Sequence, residues 1–576
     1  VVNPYAGAPS REAAAAAALH NAGRYADAVG QWELALRRTP GLPILYIMQA
    51  ASLRALDRGE EAITSLEHAL ALHPDAYEAL DGLRGLLTAR GIADRAAECA
   101  RRAYALRPSD RLAIQQALIL PAILDSRQHI LALRAQLERD IDLLLARRLS
   151  ISDPLSPSGA YTGFYLAFHG ENNRDLQRKI AQLWLNACPQ LAWQAPHCAN
   201  PQHPRGRIRI GIASSLLRAH SIGKTSRGFI ARLPRDRYEV FAVNLPSSGE
   251  DELSQWMRER SDHWIRLDGP LARSRQQLAD LKLDVLFWQD VGLTPYSYYL
   301  AFARLAPIQC MSFGHPDTSG IPNVDYFVSS DLFEPADAHS HYGEELALLR
   351  DLPTLAYYYR PARSADLAGQ AAAARATVGR TPGEHLYLCA QSLFKLHPDF
   401  DPLLAGILRR DPLGRILLLK GYGCDAWIDA LRARFRHSIP DVAHRIQFFE
   451  PLGQERFLQL LAAADVALDT PHFNGMNSSL EAFAVGTPVV TLPGQLQRGR
   501  HTQAMYRRMG LSDCIARDEE DYAAIAVRIA CSSEYRAALR QSLLERNTAL
   551  FEDERVIEEF CRFFEAALAA RFKTPR

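Results

Sequence analysis

A spacing of 34 residues recurs three times over near the start of the chain, and it constrains the fold more than any other feature. Pro40, Pro74 and Pro108 are separated by it, as are Ala28, Ala62 and Ala96, and Ala35, Ala69 and Ala103. This is the period of tetratricopeptide-like repeats, in which small residues let paired helices approach and a proline follows the second helix. Tyr25 to Leu36, Glu60 to Leu70 and Ala93 to Leu106 carry helical periodicity and stop just before those prolines, so they are predicted second helices. Helical sequence runs on from Arg111 to Arg148 without the proline phase, as a degenerate repeat or cap would, giving an expected array over 9–150. Such an array offers a concave face to a peptide or partner protein, or serves as a scaffold that rigidifies or dimerises the rest. The sequence leaves both open.

At 576 residues the chain exceeds what one core supports. Its 66 basic and 65 acidic residues nearly cancel, which argues against a whole-chain field for nucleic acid. Nine cysteines stand singly, Cys424 among them, with no CxxC pair, and read as reduced and mostly structural. No apolar run is long enough to cross a bilayer, and Val1-Val2-Asn3-Pro4 is not a basic stretch leading into an apolar core, so the expected location is the cytoplasm.

A polar stretch with two prolines, Ser150 to Ser156, predicts a break, followed by a helical bridge over 151–205 that contains His169. Short apolar strands then alternate with amphipathic helices. Expected strands are Arg207 to Ser214, Tyr238 to Leu245, Val285 to Gln289, Ile308 to Phe313 and Tyr326 to Ser329 in a first lobe, 206–355. A second lobe with terminal helices, 384–576, has strands expected at Leu386 to Ala390, Arg415 to Leu419, Arg445 to Phe449, Val466 to Leu468 and Val489 to Leu492. An alanine-rich linker, 356–383, joins them. The alternation predicts two parallel, helix-covered Rossmann-like sheets, with ligands beyond the carboxyl ends of the strands. The first strand lacks GxGxxG and the chain lacks GxSxG, which argues against a dinucleotide dehydrogenase and a nucleophile-elbow hydrolase.

Four loops carry candidate chemistry. After the first strand, His220 offers a hydrogen bond or a proton acceptor, and Lys224 a phosphate-attracting charge; a surface histidine at a helix start would look the same. In Gly314 to Gly320, His315, Asp317 and Thr318 are candidates for substrate binding or for shaping the site. In the loop from Gln391, Lys395 is placed to neutralise a departing diphosphate. The richest block runs from Asp469 to Pro488. There Asn474, Gly475 and Met476 precede a helix start at Asn477, Ser478 and Ser479 whose N–H groups could cradle phosphate, with Glu481 one turn inside for ribose hydroxyls. His501, with Arg498, Arg500 and Gln503, either closes over the nucleotide or lies on a solvated helix face.

At these residues the sequence resembles the O-linked N-acetylglucosamine transferase family, with its SPINDLY-like relatives and the bacterial adhesin-modifying N-glucosyltransferases. The resemblance covers the repeats, Gly211 to His220, Ala306 to Gly320, the Lys395 loop and Asp469 to Gly494. It implies a GT-B pair of Rossmann-like domains behind the repeats, and inverting, metal-independent transfer from a UDP-sugar to a protein side chain. It places the family's active-site histidine on His220, its diphosphate lysine on Lys395 and its nucleotide-binding helix start on Asn477, Ser478 and Ser479. Gln391, Asn474, Gly475, Met476, Glu481 and His501 complete the expected nucleotide set. Glu481 replaces an aspartate, Met476 the histidine of the NGHTT pattern and Lys224 a second histidine, while Gln454 and Phe457 stand near a lysine and a histidine that contact the donor. N-acetylglucosamine transfer to Ser or Thr is the leading expectation. Glucose transfer to Asn, a non-protein acceptor, and a binding module with an inactive catalytic unit stay open; a homodimer is a weaker expectation.

Overall fold

The computed structural model describes residues 10–155, 162–204, 206–246, 249–364, 366–378, 383–420 and 425–573. Residue 9, the end of the expected break at Ser156, residues 157–161 and Arg205 of the expected bridge, linker residues 379–382 and Cys424 lie outside the described residues. Two compact units emerge: Val1–Ala122 with Ala135–Tyr161 and Asn186–Pro189, and Ile123–Arg134 with Thr162–Leu185 and Gln190–Arg576. Neither the array end expected at 150 nor the bridge expected over 151–205 follows this division. Ile123 is buried in the core of the second unit, and the Leu124 carbonyl accepts a 2.7 Å hydrogen bond from Arg434, so this stretch belongs with the second unit.

The first unit is a stack of helix pairs, Arg11–Asn21 with Tyr25–Arg38, Pro43–Ala55 with Gly59–Leu72, and Tyr77–Ala89 with Ala93–Leu106, followed by Asp110–Ala117. All six period-marking alanines are fully buried, which is what close helix approach requires. The turn inside each pair repeats as well. Gly23, Asp57 and Gly91, again 34 apart, all have positive φ, the left-handed conformation that reverses the chain at a helix end.

The second unit carries two parallel sheets. In the first, β1 (Ile208–Ser214), β2 (Tyr238–Asn244), β3 (His263–Arg266), β4 (Val285–Trp288), β5 (Ile308–Met311), β6 (Tyr326–Ser330) and β7 (Glu345–Leu349) lie in the order β3-β2-β1-β4-β5-β6-β7. The register runs Ile208 to Tyr238 and Ile210 to Val285, so β1 is central and covered on both faces. In the second, β8 (His385–Cys389), β9 (Gly414–Leu419), β10 (Ile446–Phe449), β11 (Val466–Leu468) and β12 (Val489–Val490) lie in the order β10-β9-β8-β11-β12. β3 and β7 are additions to the sequence reading. Both are half-exposed edge strands; β3 shows no apolar run, and β7 carries only the short run Leu346 to Leu349 between Glu345 and Arg350.

Two boundaries also change. The helix Leu367–Thr377 packs on the helix Gln454–Ala463, so this part of the expected linker belongs to the second lobe. The last helix, Glu554–Lys573, leaves that lobe and returns to the first, placing Phe560 and Phe564 beside Phe229 and Phe287. Each of these buried rings contributes about 2 kcal/mol by burial alone, enough to hold a terminal helix against the far lobe. No helix among the described residues is long and apolar enough to cross a membrane, and no disulfide joins the described cysteines.

Candidate functional site

Four loops at the carboxyl ends of β1, β5, β8 and β11 converge on a cavity of about 380 Å³. A larger opening of about 880 Å³ lies at the amino ends of β5, β6 and β7, lined by Ile308, Tyr326 and Glu345. Ligands of open α/β sheets gather at carboxyl ends, so the smaller cavity is the candidate.

His220 ends the β1 loop and caps the helix Ser221–Arg232, its Nδ1 accepting from the Ile222 N–H at 3.1 Å. Burial, with Arg218 and Lys224 nearby, lowers its pKa to about 4. The ring is therefore neutral near pH 7, and because Nδ1 accepts, the proton sits on Nε2. His220 presents a donor to the cavity it lines. Acting as a base would require the other tautomer and loss of the cap.

Lys395 lies in a short 3-10 turn after β8. Its Nζ donates to Gln391 Oε1 at 2.9 Å and to the Asn474 carbonyl at 3.5 Å, and stands 4.6 Å from the centre of the Phe473 ring. Gln391 in turn donates to Ser478 Oγ at 2.7 Å, tying the β8 loop to the helix start. Desolvation lowers the Lys395 pKa to about 8 despite the opposing charge of Asp469. Asp469 is itself fully buried and pushed up to about 6. Its Oδ1 accepts from the Gly475 N–H at 2.8 Å and its Oδ2 from Thr491 at 3.1 Å, which shapes the turn into the helix.

That helix, Asn477–Ala484, has no side-chain cap on its first N–H groups. Gly475 before it allows close packing, since a Cβ there would lie 2.4 Å from both Gln391 Nε2 and Ser478 Oγ and these side chains would have to shift. Asn474, Met476, Asn477 and Ser478 line the cavity. Ser479 does not: its hydroxyl turns inward to the Gly475 carbonyl at 3.1 Å and to Thr502 at 2.9 Å. His472, at positive φ, pairs with Asp399 at 2.9 Å, and Asp399 donates its N–H to His397, bracing the β11 loop on the β8 loop. Among the described residues, His397, Asp399 and His472 form one of two side-chain groups whose spacing could hold a metal; the other is His385, Asp411 and Cys531, and neither group lines the cavity.

Several expected contacts are otherwise engaged. Lys224 does not reach the cavity as a phosphate contact, because its Nζ donates to Glu481 Oε1 at 2.7 Å and to Gln454. Gln454 donates to the same Glu481 oxygen at 2.8 Å, so a ribose would share the carboxylate with an ion pair that spans the two lobes. Asp317 is buried in a pair with Arg498 at 3.1 Å and accepts from Asn173 at 2.6 Å. Thr318 donates to Glu344 at 2.6 Å. Both shape the loop and neither lines the cavity. Arg498 and Arg500 are likewise structural, Arg500 donating to the Phe333 and Gly494 carbonyls, and neither lies on a solvated face. His169 is buried away from the cavity, its pKa lowered to about 3.

His315 and His501 do line the cavity, neutral by burial, with pKa values near 4 and 3. His315 stacks on Phe164 at 5.6 Å. Its Nε2, both nitrogens of His501, and the Oδ1 atoms of Asn474 and Asn477 are buried without a hydrogen-bond partner. Buried polar atoms are costly unless paired, so this concentration of unsatisfied groups in one cavity points to a polar ligand. Sequence reasoning did not find the aromatic wall of Phe164, Phe168, Phe313, Phe394 and Phe473. Only the density of aromatic residues between Phe164 and Phe168 signalled it.

The model of glycosyl transferase family 41 matches residues 164–355 and 371–559. The chain belongs to this family. It is 22% identical over 355 residues to the protein named probable UDP-N-acetylglucosamine--peptide N-acetylglucosaminyltransferase SPINDLY of Petunia hybrida, a match covering 60% of this chain and 37% of that one. It is 25% identical over 345 residues to the similarly named SEC of Arabidopsis thaliana, covering 58% and 34%. The matched stretches thus span about a third of these relatives' length. Among solved structures, a variant of the Thermobaculum terrenum O-GlcNAc transferase superposes with a TM-score of 0.68 at 22% identity, covering 98% of this chain and 99% of that one. That likeness shows the fold: helical repeats followed by two GT-B-like sheets.

Proposed function

We propose that the chain is an inverting glycosyltransferase that moves N-acetylglucosamine from UDP to a serine or threonine hydroxyl of a protein. The observation that carries this reading is the meeting, in one cavity, of Lys395 and the uncapped start of the helix Asn477–Ala484 with the donor face of His220. An ammonium and free N–H groups stabilise the charge that grows on a departing diphosphate, and they are in place before reaction. The bond from the anomeric carbon to UDP breaks as the acceptor oxygen attacks from the opposite face, and the acceptor proton passes to solvent. The Nε2–H of His220 orients an oxygen of the acceptor or sugar. The relatives are named probable UDP-N-acetylglucosamine--peptide N-acetylglucosaminyltransferases, which supports the donor and acceptor class. The repeat array supplies a surface that would present the acceptor protein.

The test is incubation of the purified chain with a panel of nucleotide sugars and a native lysate, read by intact-protein and peptide mass spectrometry. The expected result is one N-acetylhexosamine on Ser or Thr of a lysate protein, from the UDP donor. Sugar on Asn would redirect the acceptor assignment. Failure both to bind UDP and to hydrolyse any UDP-sugar would remove the enzymatic reading altogether.

A further inference from the structure

Away from the cavity, one cluster brings three chemically different metal-binding side chains together. His385 opens β8, Asp411 sits between the helix Phe400–Arg410 and β9, and Cys531 ends the helix Glu519–Cys531. His385 Nδ1 stands 2.7 Å from Asp411 Oδ2 and 3.7 Å from Cys531 Sγ, and the three ligand atoms all lie within 4.8 Å of one another. A tetrahedral zinc ion, with bonds of about 2.1 Å to nitrogen and oxygen and about 2.3 Å to sulfur, sets its ligand atoms about 3.4–3.7 Å apart. The spacing of His385 and Cys531 meets this, and the contact of His385 with Asp411 has to open by less than about 1 Å. The Asp411 carboxylate is buried, and among the described residues it pairs with His385 and with no lysine or arginine. Arg445, close by, donates instead to the carbonyls of Leu408, Asp411 and Gly414. The Tyr387 hydroxyl donates to Asp411 Oδ2 at 2.8 Å and the Leu413 N–H to Oδ1 at 3.0 Å, the kind of outer hydrogen bonds that orient a ligating carboxylate. Cys531 alone among the described cysteines is exposed, so the cluster is open to an ion from solvent.

We propose that His385 Nδ1, Asp411 Oδ2 and Cys531 Sγ bind a zinc ion, with water in the fourth position. Sulfur, imidazole nitrogen and a carboxylate oxygen suit zinc, whereas magnesium and calcium take oxygen ligands. Binding releases the thiol proton and the proton shared by His385 and Asp411 to solvent. None of the three residues lines the cavity, and they lie at the amino ends of β8 and β9, opposite the ends that carry it. The ion is therefore structural: it ties the end of the helix Glu519–Cys531 to β8 and to the entry of β9, and stabilises the second lobe. It takes no part in sugar transfer, so the proposal stands apart from the donor reading above.

The experiment treats the full chain, as wild type, C531S and H385Q, with chelator and a thiol reductant, then titrates it with cobalt(II) as a coloured stand-in and with zinc. In the wild type, one equivalent of cobalt is expected to raise a near-ultraviolet thiolate-to-cobalt band, which zinc then removes. C531S should lose the band, and both variants should bind zinc at least about tenfold more weakly than wild type. Zinc at about a hundredfold excess over its Kd should raise the melting temperature of the wild type by about 3 °C and leave that of C531S unchanged. Circular dichroism of the metal-free chains checks folding. Should H385Q fail to fold, the wild type and C531S, altered only at an exposed position, decide. No thiolate band in the wild type, a band that survives in C531S, or equal zinc affinity in wild type and C531S overturns the proposal.

Discussion

Lys395 sets the electrostatics of the cavity, because burial removes water from an ammonium that Asp469 only partly compensates. A fall from 10.5 to about 8 corresponds to a net penalty of about 3 kcal/mol on the charged form. A diphosphate would offset that penalty, so binding and protonation are coupled. The charge is present below pH 8 and is lost as pH rises through it. UDP affinity is therefore expected to be flat between pH 6.5 and 7.5 and to weaken by up to about tenfold per unit above pH 8. Lys395→Met should lower affinity about 10- to 100-fold, as for a lost charged hydrogen bond, and abolish the alkaline dependence. Titrations across that range would check both; an unchanged alkaline limb in the variant would assign it elsewhere. Lys395 and His220 were legible because each follows a recognisable strand. The engagement of Lys224 with Glu481 was not, since its partners lie 257 and 230 residues away and meet only when the lobes fold.

The repeats show how far an element can be read from spacing and where spacing stops. The alanines and prolines identify the helix pairs, whereas the left-handed position at Gly23, Asp57 and Gly91 shares the same period and is masked because one member is not glycine. Asp57 is exposed at φ 60° and bears strain that glycine would not. Asp57→Gly should stabilise the array by about 0.5–1 kcal/mol, even after the greater entropy of the unfolded glycine. Gly91→Ala should do the reverse: at φ 59° its Cβ would sit 2.4 Å from the Ala122 amide nitrogen, and the loss should exceed about 2 kcal/mol. Thermal unfolding of the two variants decides. Equal and small effects would mean that the turn relaxes freely. The same limit appears in the second unit, where central strands such as β1 and β8 were legible as apolar runs. Edge strand β3, half exposed, carries no such run, β7 has only the four apolar residues Leu346 to Leu349, and the return of the last helix to the first lobe follows from tertiary packing of Phe560 and Phe564 that no local pattern encodes.

At the scale of the whole molecule, the second unit carries a set of histidines held neutral by burial. His169, His220, His315, His397 and His501 all have pKa values lowered from 6.5 to about 3 or 4. For each, the unfolded chain takes up a proton below pH 6.5 that the folded chain refuses until about pH 4, so folded stability is full above 6.5 and declines as pH falls through that window. At pH 5 each site costs on the order of 2 kcal/mol. Asp290 and Asp469 act in the opposite sense: raised from 3.8 to about 6, they take up protons in the folded state first and stabilise it on acidification, by about 1 kcal/mol each at pH 5. The histidines outweigh the carboxyls in number and in shift, so the net effect is acid lability. The melting temperature of the second unit is expected to fall steeply between pH 6.5 and 5. In H501Q, which removes one titrating ring without emptying its site, the fall should be shallower. A melting curve as steep in that variant as in the wild type would show that His501 titrates in the folded state near its ordinary value, and that its nitrogens are already paired.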